Sequence, residues 1–409
     1  MMQAEPGQPM KMAWPTVFLD QWVWIRFAAV ATGRSRDPDD ARAYDEVRQA
    51  SAEGVVFALS ATRYEETGRI RDPRQRQDIA DVVAPISELR SLRVHNDLVE
   101  HQIKIALHEI LGRPTFRPSP LQVIGVGAHW SFTGVNAFHR VFDARDKVVD
   151  TIDGSWLRQV AQYTEYRLFA GPVDSELPAL EKRGYVDPRQ LEASATSRLE
   201  QERALATQFG SRSDPSATVL RFLQVRELWG THGKMLARIA QEYGVPGRAI
   251  MPDPNARTPF ARDAAEFMER IPTTHLMAQL KHGIYRQRRE WTWNMLRDIE
   301  SMSVAIPYTD VVVMDKDAVD LATRVGAPTR FNTTVIARMG ELIDVLPDLR
   351  KDVNADAEEP PGWERLGPRA PFQLDLPRSL EPEEVPIGAQ LRLVGDDGEI
   401  IHSPRTPGL

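Results

Sequence analysis

The sequence predicts an α/β protein, a parallel sheet flanked by helices and interrupted by a long, mainly helical insertion. Three short apolar runs point to the sheet: Val17-Phe18-Leu19, Val55-Val56-Phe57-Ala58-Leu59 and Asp310-Val311-Val312-Val313-Met314. Each is followed at once by a helical pattern, and successive strand-to-helix units favour right-handed crossovers between parallel strands. Between residues 93 and 285 helical periodicity dominates and strand-like runs are few.

Taken in order, Val17–Leu19 ends at Asp20 and turns into a helix carrying Trp22, Ile25, Phe27 and Val30. Asp37-Pro38-Asp39-Asp40 punctuates, and Ala41 to Ala50 continues as a short polar helix behind an aspartate cap. Val55–Leu59 is closed by Ser60, a good N-cap for a helix through Glu66. In the insertion, helices are expected over Leu98–Leu111, Glu200–Phe209, Thr218–Tyr243 and Ala261–Met277. The strand–helix pattern resumes with a helix from Trp291 to Met302, broken at Pro307, then strand 310–314 and a helix over Asp317–Val325 stopped by Gly326. Phe331–Val335 reads as a fourth strand and Arg338–Leu346 as the last helix.

The 409 residues carry a net charge of −7, but residues 344–409 alone hold 14 acids against 7 bases, so the remaining body is neutral. An acidic total therefore does not argue against a nucleic-acid partner. The tail holds 10 of the 30 prolines and suits a linker or loose appendage, although Ala389–Ile401 can form a hairpin about Asp-Asp-Gly. With no cysteine, disulfides, thiolate metal sites and cysteine nucleophiles are excluded. Neither a signal pattern nor a membrane-length apolar run is evident, and a cytoplasmic location without membrane attachment is expected. The organisation expected is two halves of one core, 14–92 and 286–346, around the insertion 93–285, followed by the tail 347–409.

Asp20 and Asp315 end two predicted parallel strands, and Ser60 ends a third with Glu65 and Glu66 a turn or two later. Strand carboxyl ends share one edge of an open parallel sheet, where sites form. Asp298, on the helix feeding the third strand, can join them. Carboxylates converging without a basic partner repel unless a divalent cation lies among them, and hard oxygen ligands suit Mg²⁺ or Mn²⁺.

These stretches resemble the PIN-domain nucleases in their large stand-alone bacterial form. The resemblance rests on Val17-Phe18-Leu19-Asp20, on Leu59 through Thr67, and on Asp298-Ile299-Glu300 continuing through Pro307-Tyr308-Thr309-Asp310 to Asp315. It implies a PIN-like sheet and metal-dependent hydrolysis of phosphodiester bonds, usually in RNA. Carried over by position, Asp20, Glu66, Asp298 and Asp315 become the catalytic metal ligands. Glu65 rivals Glu66, and Asp310, at the start of its strand, is expected about 15 Å from Asp315 by strand rise. The partner implied is nucleic acid, single-stranded RNA first, with an oligomer or inhibitor partner open. Two alternatives stand beside this: a non-catalytic RNA- or protein-binding scaffold on the same fold, and a haloacid-dehalogenase-like phosphatase built on Asp315-Lys316-Asp317. In the nuclease reading Asp317 is a helix cap.

Bases crowd both acidic motifs: Arg63, Arg69, Arg71, Arg74 and Arg76 near Glu66, and Lys281, His282, Arg286, Arg288, Arg289 and Arg297 before Asp298, with Trp291 and Trp293 among them. Such bases can hold a phosphate backbone, with Arg63 and Arg76 the chosen contacts and the tryptophans as stacking or core residues. His101 and His108 share a helix face without further ligands and read as ordinary histidines. Gly125-Val126-Gly127 lacks the following helix and acid of a dinucleotide site, and no phosphate-binding Gly-Lys-Ser/Thr loop occurs.

Overall fold

The computed structural model describes residues 9, 11–149, 154–178, 192–210, 217–250, 267–354, 390–395 and 399–400. Strand β1 (Thr16–Leu19) buries Val17, Phe18 and Leu19 completely, each worth about 1.5–3 kcal/mol over exposure. It ends at Asp20, whose carboxylate accepts from the Gln21 amide and opens helix α1 (Gln21–Ala31). Asp37 caps α2 (Pro38–Ala52), with Pro38 in the first turn where its missing N–H costs nothing. Strand β2 (Val56–Ala58) leads into α3 (Ala61–Arg69). Ser60 does stand at the N-cap of α3, but its hydroxyl meets Thr62 Oγ1 at 2.6 Å and makes no cap bond. Next come α4 (Pro73–Ser87), capped by Asp72, and β3 (Arg90–Leu92).

The predicted insertion contains α5 (His95–Leu111), β4 (Ile124–Val126), α6 (Gly127–Thr133), β5 (Ala137–Phe142), α7 (Gly154–Ala170) and α8 (Glu192–Gly210). The single helix expected over 218–243 is α9 (Ala217–Val225), a π-helical segment Arg226–Thr231 and α10 (His232–Glu242). Most of the helix expected over 261–277 lies outside the described residues; α11 (Pro272–Gln287) starts within its end.

Helix α12 (Trp293–Tyr308) runs through Pro307, which the sequence reading took for its end. A proline in the last turn forfeits one backbone bond only, and the Thr309 amide and hydroxyl both satisfy the Ala305 carbonyl. Strand β6 (Val311–Val313) and α13 (Lys316–Arg324) follow. The fourth strand starts later than expected: Phe331 closes a short α14 (Ala327–Phe331), Asn332 adopts φ 49, and β7 is Thr334–Ile336. Helix α15 (Met339–Lys351) and strand β8 (Gln390–Gly395) complete the described elements.

The fold is mixed α/β and mostly helical, with β1 paired parallel to β2 and β6 paired parallel to β7. Strands β3 and β4 pair antiparallel. The tail is not merely a linker, because β8 pairs antiparallel with all six residues of β5, from Ala137↔Gly395 to Phe142↔Gln390. A return bridge from Ile400 to Val394 fits the expected hairpin, whose turn 396–398 lies outside the described residues.

The chain divides into two compact units. One holds Met1–Met12, His95–Val123 and Ala193–Ala337; the other holds Ala13–Val94, Ile124–Glu192 and Arg338–Leu409. Residues 14–92 fall in the second unit and residues 286–337 in the first. The second unit is centred on Phe18, Trp24, Phe27, Phe57 and Leu59, and the first on Leu276, Leu280, Trp291, Ile299 and Val312, all buried. Among the described residues no helix is long and apolar enough to cross a membrane.

Candidate active site

In the second unit, β1 and β2 run parallel in register, Thr16 beside Val56 and Phe18 beside Ala58, so Asp20 and the start of α3 leave the same edge. Asp20 and Glu66 meet there on one cation. Arg63, one turn before Glu66 on the same helix face, directs Nη1 to Asp20 Oδ1 as a hydrogen bond and ion pair, and to Glu66 Oε2 at 3.0 Å. The Arg63 side chain has no solvent exposure, those of Asp20 and Glu66 only 11% and 16%. Its guanidinium carbon also sits over the Phe18 ring, 5.5 Å from the centroid. Thr67 Oγ1 accepts from Gln21 Nε2 at 3.1 Å, tying the first turn of α1 to α3.

Burial lifts the Glu66 carboxyl above its ordinary range, opposed by Arg63 and assisted by the charges of Asp20 and Glu65. Its Oε2 is buried and has no aligned hydrogen bond among the described residues, the contact to Arg63 being purely ionic. The sequence reading required acids without a basic partner; the structure supplies one from within the motif. The i,i+3 spacing of Arg63 and Glu66 is visible in the sequence, but the burial that makes Arg63 the counterion of Asp20 and Glu66 and not a phosphate contact is not.

The other expected ligands belong to the first unit. Asp315 follows β6 and is the N-cap of α13, its Oδ1 accepting from Ala318 N at 2.8 Å. The cap is therefore Asp315 and not Asp317, whose exposed carboxylate pairs with Arg289 at 2.5 Å. Asp310 precedes β6 and so stands at the opposite end of that strand from Asp315, as expected. Asp298 lies in the second turn of α12, half-buried. Among the described residues no group of three or more His, Asp or Glu is arranged to hold a metal ion. The pair Asp20 and Glu66 is the part of the expected cluster seen together.

Two expected phosphate contacts are corrected. Arg63 is enclosed by the acids it was meant to flank. Arg76 is buried and donates to four backbone carbonyls, those of Ala170 (2.8 Å), Ile70 (2.6 Å), Arg71 (3.3 Å) and Pro172. A buried guanidinium needs acceptors for its five donors, and the segments after α3 and at the end of α7 each provide two. Of the bases before Asp298, Lys281 and Arg297 are buried while Arg286 and Arg288 are exposed, as are Arg71 and Arg74 after α3; Trp291 is a core residue whose ring meets that of Tyr285 at a tilt of 52°.

A helix, α6, does follow Gly125-Val126-Gly127, contrary to the sequence reading. The buried carboxylate of Glu165 fills the space at its start and accepts from Ala128 N at 2.7 Å. A Cβ on Gly127, φ 86, would fall 2.2 Å from that carboxylate, so no phosphate approaches there. His108 Nδ1 pairs with the Pro114 carbonyl at 2.8 Å, as an ordinary histidine does. The buried network in the first unit is not legible in the sequence, because Glu202, the Arg226-Glu227 pair and Lys281 lie far apart in the chain. Lys281 Nζ donates to Glu202 (3.0 Å) and Glu227 (2.9 Å), while Arg226 and Tyr285 also bond Glu202.

Asp20 and Glu66 suit a hard divalent cation. They are oxygen donors already drawn to one positive charge, Glu66 has an unaligned buried oxygen, and Mg²⁺ is often held by one or two carboxylates plus waters and substrate phosphate. No family model, curated protein or solved structure matches the chain.

Proposed function

We propose that this chain is a PIN-like nuclease, a Mg²⁺- or Mn²⁺-dependent hydrolase of phosphodiester bonds, acting first on single-stranded RNA in the cytoplasm. The observation that carries this reading is the meeting of Asp20, at the end of β1, and Glu66, on the helix that follows the adjacent parallel strand β2, on one cationic centre. A bound divalent ion would supply an activated water and offset charge on the phosphoryl oxygens. Asp20 and Glu66 would hold it. Asp20 is fixed by the Gln21 amide, and Glu66 by its place one turn beyond Arg63. Exposed Arg71 and Arg74, just beyond α3, are the bases that take over the phosphate role from Arg63 and Arg76.

The test is cleavage of labelled single-stranded RNA and DNA with Mn²⁺, with and without chelator, beside a phosphomonoester substrate. Chelator-sensitive cleavage of RNA supports the reading; turnover of the monoester alone supports the phosphatase.

A second reading, a non-catalytic RNA- or protein-binding scaffold, is favoured by one observation. Arg63 already neutralises one charge of the acid pair, as a structural ion triad would. RNA binding that is unaffected by chelator, without cleavage, would select it.

A further inference from the structure

The acid pair and its guanidinium pose a question of occupancy. One nitrogen, Arg63 Nη1, touches a carboxylate oxygen of each acid, and the side chain carrying it is fully enclosed, with Phe18 beneath the guanidinium. A divalent ion ligated by both acids would have to compete for those same oxygens. Two carboxylates and one guanidinium carry a net charge of −1, which attracts a dication far less than the bare pair would. Gln21 N also donates to Asp20 Oδ1, so Asp20 Oδ2 and Glu66 Oε1 are the oxygens outside these contacts, while Oδ1 and Oε2 are the ones a metal would contest with Arg63.

We infer that Arg63 is a built-in competitor of the divalent cation, a positioning residue that holds Asp20 and Glu66 together without metal and lowers the site's metal affinity. The inference rests on the proposed metal-dependent reading of this site. It differs from a purely structural triad in one respect: removing the guanidinium should strengthen metal binding while weakening the fold.

The test is Mn²⁺ titration of the full chain, followed by the electron paramagnetic resonance signal of free Mn²⁺, for wild type, Arg63→Gln and Arg63→Lys. Arg63→Gln should bind Mn²⁺ about tenfold tighter or more, because one nearby positive charge is gone. Arg63→Lys, which keeps the charge, should stay within about threefold of wild type. Equal or weaker binding by Arg63→Gln overturns the inference, as does the absence of binding in all three proteins. If Arg63→Gln does not fold, the wild-type Arg63 side-chain nitrogen resonances decide, assigned by their loss in Arg63→Lys. Mg²⁺ should shift them, and no change up to saturation overturns the inference. Unchanged affinity in Arg63→Gln beside chelator-sensitive cleavage by wild type would sink the competition and leave the nuclease standing. Tighter Mn²⁺ binding without any cleavage would sink the nuclease and leave the competition standing.

Discussion

Arg63 Nη1 lies 3.0 Å from Glu66 Oε2, one turn along the same helix, and both side chains are largely withdrawn from water. Together with Asp20 they form an ion triad in which loss of the guanidinium would leave two largely buried carboxylates without a cation. Arg63→Met should cost about 3–5 kcal/mol, since two carboxylates would remain without a cation. The triple change Asp20→Leu, Arg63→Met, Glu66→Leu should recover most of that loss. Urea unfolding at neutral pH measures both, and equal losses in the single and triple variants would refute the triad's role.

His275, on α11, is 3% exposed, and neither ring nitrogen has a hydrogen-bond partner among the described residues. Burial, with help from Arg330, depresses its pKa from 6.5 to about 3. The unfolded chain therefore takes up a proton that the folded chain refuses between these values, so stability falls as pH drops from 6.5 towards 3. The slope is at most about 1.4 kcal/mol per pH unit from this residue. His275→Leu should flatten the dependence of unfolding free energy between pH 7 and pH 5; an unaltered slope would show that His275 is not its source.

Lys281 joins Glu202 and Glu227 inside the first unit, each with about 4–5% side-chain exposure. Burial works against ionisation of Glu202, yet Lys281 and Arg226 hold its carboxyl below the ordinary range. A depressed carboxyl contributes stability above its unfolded pKa and loses it as pH falls through the folded value. Lys281→Met should cost about 3–5 kcal/mol at pH 7 and less in acid, where the stranded carboxylates protonate. A melting temperature within a degree of wild type at pH 7 would contradict this.

Gly127→Ala tests the turn between β4 and α6. The new methyl would meet the Glu165 carboxylate at 2.2 Å in a backbone of positive φ, so both strain and loss of the Ala128 contact follow. The expected effect is a destabilisation of about 1–3 kcal/mol by thermal melting; a neutral or stabilising change would mean that Glu165 moves freely.

Much of the sheet was legible because β1, β2 and β6 are uninterrupted apolar runs, each closed by a polar residue that starts a helix. Asp20 and Asp315 were readable as strand-end acids for the same reason. What escaped the reading depends on distance in the chain. The β5–β8 pairing joins residues about 250 apart in a chain whose tail composition suggests a linker. Arg76 looked like a free phosphate contact, since nothing local reveals the Ala170 and Pro172 carbonyls that consume it. Arg63 was misassigned although its partner is three residues away, because the burial that turns a surface base into an internal counterion is a tertiary property.

As proposed, Asp20 and Glu66 form a hydrolytic acid pair. Its most direct test is the initial rate of single-stranded RNA cleavage with Mn²⁺ for wild type and Asp20→Asn, a change that keeps the side chain's size. Chelator-sensitive cleavage by wild type and a loss of about a hundredfold or more in Asp20→Asn are expected. Cleavage by Asp20→Asn at the wild-type rate, or no cleavage by folded wild type, would contradict the proposal.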